Sequence, residues 1–183
     1  MSNLLLKELK EVRKSNELIE IYLNPDDIEA FSVGYINAIS KDFILVKFVY
    51  STGIYDGYGV ISINDIYKII RNSKYLDTII KLIEYNKSQF PDINLVNDNL
   101  LLSLLKYSND NSKIVEVQMK NDEDYMVGFV KSITETTLEI TKINNYGESN
   151  GKVTVRLKDI KMLQSDIFYY YRRAMLFKIN NSI

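Results

Sequence analysis

Tyr169-Tyr170-Tyr171-Arg172-Arg173 is the local patch of this chain whose residue types could do the most chemistry. Tyrosine rings stack on bases and arginine neutralises phosphate, the combination that holds single-stranded nucleic acid. On a helix three successive positions spread over about 200°, so one of the tyrosines faces inward. Tyr169 stands where Tyr75 stands in an earlier, similar stretch, which makes it the one expected to pack. Tyr170, Arg172 and Arg173 remain as a candidate nucleic-acid site, against the simpler reading that both arginines are solvated or paired with acids. Two other segments, Ile54-Tyr55-Asp56-Gly57-Tyr58-Gly59 and Asn145-Tyr146-Gly147-Glu148-Ser149-Asn150-Gly151, combine tyrosine with glycine and acid. Tyrosine offers a large contact area for little lost side-chain entropy, and loops carry function more often than cores do. Tyr55, Asp56, Tyr58, Tyr146, Glu148 and Asn150 are therefore candidate protein-binding residues. The simpler reading of the same segments is that Asp-Gly and Asn-Gly make the turns.

Other chemistries find little to work with. The chain has no histidine and no cysteine. That removes the usual general base near neutral pH, the triad base, thiolate catalysis, disulfides and the commonest metal ligands. Asp65 and Asp159 occupy equivalent positions in two similar segments, and a residue repeated this way reads as a turn or cap former, because aspartate satisfies local backbone donors. Asp122-Glu123-Asp124 lacks the alternating spacing and glycine of a calcium loop and reads as a solvated turn. No phosphate loop, dinucleotide fingerprint or nucleophile elbow occurs. The expectation is a protein without catalytic residues, metal site or cofactor.

The elements that must position these residues come in two copies. Asn3-Leu4-Leu5-Leu6 opens the first half and Asn99-Leu100-Leu101-Leu102 the second. Ile19-Glu20-Ile21 is echoed by Val115-Glu116-Val117, Gly34 by Gly128, Gly57 by Gly151, and Asp65-Ile66 by Asp159-Ile160. A repeat this long is a duplicated domain, since solenoid units run at about 20–50 residues. The halves are 1–90 and 91–183. In the first, 3–15 reads as a helix that Ser2 or Asn3 caps, with Leu5, Leu6, Leu9 and Val12 on one face. Leu18–Leu23, Phe31–Ile39, Phe43–Tyr50, Gly59–Ile63 and Ile66–Ile70 read as strands, with Ser51–Tyr58 as a long loop. A helix follows over Lys74–Tyr85. The second half repeats the order: helix Leu100–Leu105, strands Ile114–Met119, Tyr125–Ile133, Thr137–Ile143, Val153–Leu157 and Ile160–Leu163, loop Asn144–Gly151, and a helix capped by Ser165 and running to Phe177, with a frayed end from Lys178.

Five bent antiparallel strands joined by short turns tend to close into a small barrel, which removes exposed edges. The order of helix, strand, turn, glycine-bent strand, hairpin, long strand, variable loop and two strands meeting at an Asp-Ile step resembles the Sm-like fold. Val60-Ile61-Ser62-Ile63-Asn64-Asp65-Ile66 and Val153-Thr154-Val155-Arg156-Leu157-Lys158-Asp159-Ile160 resemble its second motif. The resemblance implies a mainly β, α+β protein of two tandem five-stranded Sm-like (SH3-like) barrels, each preceded and followed by a helix. The Sm family reads uridine-rich RNA through an acidic residue and an asparagine in the hairpin after its second strand and an Arg-Gly pair between its last strands. Here those hairpins are Ser40-Lys41-Asp42-Phe43 and Thr134-Glu135-Thr136-Thr137, and Asn64-Asp65 and Lys158-Asp159 stand in place of Arg-Gly. The RNA-binding residues of the family are thus not carried over.

With 46% hydrophobic and 26% charged residues the composition is that of an ordinary globular protein. Net charge is −1, and acids and bases balance in each half. Strong nucleic-acid binders carry a basic excess, which lowers that expectation. The N-terminus lacks the basic and long apolar regions of a signal peptide, and no apolar run reaches the roughly 20 residues of a membrane helix. The expected place is the cytoplasm, with no membrane. Fourteen tyrosines, no tryptophan and abundant Asn, Ile and Lys suit an AT-rich genome, such as that of a low-GC bacterium, its phage or a mobile element. The expectation is a non-enzymatic protein that acts through protein–protein contacts, an inhibitor or immunity-type protein being the most concrete form. It would be a monomer or homodimer, because the helices after each barrel hinder ring closure. The alternatives are an RNA-binding Sm-like protein with an altered surface and a small-molecule or nucleotide binder.

Overall fold

A computed structural model of the chain describes residues 4–27, 29–93, 95, 99–120 and 125–181. The proposed caps Ser2 and Asn3 and the acidic run Asp122-Glu123-Asp124 lie outside the described residues. The protein is of mixed α+β class, with ten antiparallel strands and four helices among those residues. The chain divides into two compact units, Met1–Asn94 and Leu95–Ile183.

In the first unit, helix α1 (Leu4–Ser15) leads into β1 (Leu18–Tyr22), β2 (Ser32–Ile39), β3 (Phe43–Val49), β4 (Tyr55–Ser62) and β5 (Lys68–Arg71), and helix α2 (Lys74–Asn86) trails. The strands are ordered β5-β1-β2-β3-β4, every pair antiparallel. The second unit repeats this with α3 (Leu100–Asp110), β6 (Ile114–Met119), β7 (Tyr125–Ile133), β8 (Thr137–Ile143), β9 (Ser149–Arg156), β10 (Ile160–Ser165) and α4 (Tyr171–Asn180), ordered β10-β6-β7-β8-β9. In each unit the fourth and fifth strands lie at opposite ends of the order and share no ladder among the described residues. The sheets are therefore not closed into barrels, contrary to the expectation from strand count and bending. β5 has only four residues and spends its ladder on β1.

The curvature itself is built as the sequence implies. Gly34 and Gly128 sit where the neighbouring strand comes closest: a Cβ on Gly34 would meet Val46 and the Lys47 carbonyl, and one on Gly128 the Thr141 carbonyl. Each bend is followed by a bulge in the next ladder, at Ile36/Ala38 and at Val130/Ser132, which adds twist.

Each sheet is buried by its helices. Leu9 and Val12 of α1 are fully buried, as are Ile19, Ile21, Ile44 and Leu45. A second cluster joins Leu18, Val33 and Val49 to Leu76 and Ile79 of α2. Ser73 caps α2 by accepting from the Leu76 N–H (3.1 Å). In the second unit Ile114, Val127 and Ile143 hold the same place beneath α4, together with Phe129, Tyr170, Ala174 and Phe177.

Several boundaries differ from the sequence expectation. α3 runs on to Asp110. β4 begins at Tyr55, so half of the expected loop is strand: Gly57 takes a positive φ of 83° within it, and a glycine-rich stretch that reads as loop is a bent strand. Ser165 does not cap a helix. It ends β10, buried, and its hydroxyl receives that of Ser108 (2.7 Å). A 3-10 turn at Phe168–Tyr170 precedes α4, which continues through Lys178 to Asn180, so the expected frayed end is helical that far.

The join between the first helix and the last strand is an ion pair of opposite polarity in the two units. Arg71 clasps Glu17 through two donors (2.9 and 2.8 Å) and reaches Glu8 with a third (2.8 Å). In the second unit, where Glu17 is matched by Lys113, that lysine pairs with Asp166 (2.9 Å).

Candidate functional site

The second unit brings the two sequence-flagged segments onto one surface. Asn144 organises the β8–β9 loop as an Asx turn: its Oδ1 accepts from the Tyr146 N–H (2.9 Å) and the Glu148 N–H (3.0 Å), while its Nδ2 donates to Glu148 Oε2 (2.9 Å). Glu148 is thereby committed to the loop, and Tyr146 projects from it, 74% exposed. Asn150 is exposed at the start of β9.

Gly147 docks this loop on α4. Its φ is 72°, and a Cβ there would lie 2.5 Å from the Phe177 backbone nitrogen and also strike Leu176. Gly53 does the same on α2 in the first unit, with a φ of 79° and the Ile83 backbone nitrogen 2.6 Å from its would-be Cβ. Only glycine combines that backbone with that approach. From the helix side, Asn180 Nδ2 donates to the Gly147 carbonyl (3.1 Å) and Arg173 donates to the side-chain oxygen of Asn145.

Helix α4 has two apolar faces. Tyr170, Ala174 and Phe177 turn inward, where Phe177 stacks on Phe129 at 4.7 Å. Tyr171, Met175 and Ile179, at i, i+4 and i+8, turn outward and are 63%, 46% and 57% exposed. Phe168 and Tyr169 extend this exposed surface. The inward tyrosine is thus Tyr170, matched in the first unit by buried Leu76, and not Tyr169; the 3-10 turn shifts the phase expected of a regular helix.

Tyr170 is tied down by its neighbours. Its hydroxyl donates to Glu116 Oε2 (2.5 Å), and the Arg173 guanidinium lies over its ring at 4.8 Å. Burial raises the Glu116 carboxyl above its ordinary range, against the lowering influence of the Tyr170 hydrogen bond and the Arg173 charge. Burial, then the bond to Glu116, pushes the Tyr170 phenol up. Asn145, Tyr169, Tyr170, Arg172 and Arg173 line a cleft of about 380 Å³, where Arg172 is exposed and holds no ion pair among the described residues.

The first unit does not repeat this surface. Tyr55, Asp56 and Tyr58 are on β4. Tyr58 is 2% exposed, and its hydroxyl donates to the Pro91 carbonyl. The Tyr55 ring packs edge-on against Tyr58 (5.4 Å) and against Phe90 (6.3 Å). Asp159 accepts from Arg156 (2.8 Å), and Asp65 lies in a 3-10 turn. Among the described residues no three His, Cys, Asp or Glu side chains converge as a metal site would need, and no helix is long and apolar enough to cross a membrane.

Sequence reasoning missed Phe168, Met175 and Ile179. The signal was present as the four-residue spacing of Tyr171, Met175 and Ile179, which the expected fraying at Lys178 cut short. The chain matches no protein-family model, no curated protein and no solved structure.

Proposed function

We propose that this chain is a non-enzymatic binding protein whose second unit presents the outer face of α4, with Tyr146 beside it, to a protein partner. The observation that carries the reading is the exposed stripe Tyr171, Met175 and Ile179 on a helix whose opposite face already serves the core. Large apolar side chains gathered in one exposed place mark interaction sites, and tyrosine and arginine are the residues that such sites favour. The charges carried by α4 are Arg172, Arg173 and Lys178, without an acid, so the partner surface it suits is apolar with an acidic rim. The strand order and paired glycine bends support a tandem Sm-like scaffold in its open form. An inhibitor or immunity-type role in the cytoplasm, as a monomer or homodimer, is the concrete form of this reading.

The test is affinity isolation from the native host with the wild-type chain and with a Met175→Asp/Ile179→Asp variant of unchanged thermal stability. A polypeptide recovered by the first and lost by the second supports the reading. Recovery of ribosomes or RNA alone overturns it.

A second reading is favoured by the cleft of Tyr169, Arg172 and Arg173, where one exposed ring and two guanidinium groups suit a base and its phosphate. It requires that Arg172→Glu/Arg173→Glu lower RNA affinity and flatten its salt dependence, because phosphate contacts set that slope. An unchanged slope removes it.

A further inference from the structure

The first unit carries a charged cleft that neither reading uses. Helix α1 places Lys10, Arg13 and Lys14 at i, i+3 and i+4, one side of a turn. The β2–β3 hairpin brings Ser40 and Lys41 opposite them, and Leu6 and Ile39 complete the lining of an open cleft of about 820 Å³. Among the described residues four cations line it and no acid does. Arg13 is held in place, its Nε donating to the Asn37 carbonyl (3.1 Å). The nearby acids of α1 are engaged elsewhere: Glu11 with Lys7, Glu8 with Arg71.

The plainest account of Arg13 and Lys14 is that they complement the negative end of the helix dipole. That account does not reach Lys10 or Lys41, and the duplicated unit tests it. The positions matched to Lys10, Arg13, Lys14 and Lys41 in the second half are Lys106, Asn109, Asp110 and Glu135. One cation and two acids stand where the first unit has four cations, yet α3 packs on β7 as α1 packs on β2. The fold does not need this charge.

We infer that the cleft between α1 and the β2–β3 hairpin takes an acidic, aliphatic segment of a partner protein. Its carboxylates would pair with Lys10, Arg13, Lys14 and Lys41, and an aliphatic side chain would rest on Leu6 and Ile39. Two observations choose this occupant over nucleic acid. The apolar lining is aliphatic, and among the described residues no aromatic ring lines the cleft to stack a base. Like charge gathered with an apolar floor steers and orients an oppositely charged partner. This site lies in the other unit from the α4 surface and stands if that surface proves inert.

The experiment uses the full chain and fluorescence anisotropy with three labelled probes of equal length: a Glu/Leu peptide, an all-Glu peptide and an oligouridylate. The Glu/Leu peptide is expected to bind most tightly, and more weakly as salt rises. Lys10→Glu/Lys14→Glu is expected to weaken it by about tenfold or more, the scale of truncating charged contacts. Lys131→Glu, at an exposed lysine of the other unit outside both proposed surfaces, should leave it unchanged. The inference is overturned if the peptide does not bind or if the lysine variant binds it as well. It is also overturned if the all-Glu peptide matches it, which removes the apolar floor, or if oligouridylate binds more tightly with the same lysine dependence. Failure of the α4 proposal would show instead in the Met175→Asp/Ile179→Asp isolation, which does not touch these lysines.

Discussion

Glu20 and Glu116 are the same residue of the duplicated domain, and each is an acid in a largely apolar setting. Glu20 is 3% exposed; Tyr22 donates to it (2.6 Å), and so does the hydroxyl of Ser73, which also caps α2. Burial, and then this bond, pushes the Tyr22 phenol up to about 12. Glu20→Leu would leave one buried hydroxyl (Tyr22) and one half-buried hydroxyl (Ser73) without their acceptor, so it should cost about 1–3 kcal/mol in chemical denaturation, and Glu20→Gln less. Glu116 gives a pH signature. Its folded carboxyl is raised, so between that value and the ordinary one the folded state holds a proton that the unfolded chain has released. Its influence on stability therefore becomes more favourable as pH falls through that window and less so as pH rises. Glu116→Gln should consequently gain on wild type in going from pH 5 to pH 7, as paired denaturation curves would show. Glu17 has the opposite sign: the Ser15 hydroxyl and then Arg71 lower its carboxyl, a contribution present above the ordinary range and lost as pH falls through the lowered value.

At the scale of elements, the strand expected at Leu18–Leu23 and the glycine bends were legible in the chain, because β-branched and apolar runs and missing Cβ atoms are local properties. The Asx turn after β8 was legible only as a loop: the Asn-Gly step expected to make it, Asn150-Gly151, lies in β9, the turn is made by Asn144, and its docking on α4 depends on residues about 30 positions away. The phase of Tyr169–Tyr171 was misread because a 3-10 turn winds tighter than an α-helix, and no residue type announces it. Tyr58 stands among the loop candidates because glycine neighbours suggest loop, whereas Gly57 serves a bend inside β4. The docking glycine is the element most sensitive to change. Gly147→Val should destabilise by about 1–3 kcal/mol, from strain at positive φ and collision with the helix backbone. It should also release the Tyr146 loop, seen as faster hydrogen exchange at residues 144–148. By contrast Met175→Ser on the outer face of α4 should change stability by no more than about 0.5 kcal/mol, since Met175 is 46% exposed and belongs to no core cluster among the described residues.

For the whole molecule, the duplication separates what the scaffold requires from what it merely carries. Buried apolar positions, bend glycines, bulges and left-handed turn residues such as Asn16 and Ser112 recur in both units. Surface chemistry does not: one unit has a basic cleft and the other an aromatic helix face. These unlike surfaces leave a net charge of only −1. The chain should therefore lose solubility as pH approaches its isoelectric point near 5.6, checked by light scattering across a pH series.

The reversed ion pairs at the helix–strand joins have a consequence for how the chain folds. Tandem copies of one domain risk misassembly, in which an element of one copy docks on the sheet of the other. A first helix that settled on the wrong copy would set Glu17 against Asp166, or Lys113 against Arg71, like charge on like in either case. The opposed polarity therefore sets an electrostatic penalty on that exchange, because Glu17 and Lys113 each meet an opposite charge in their own unit.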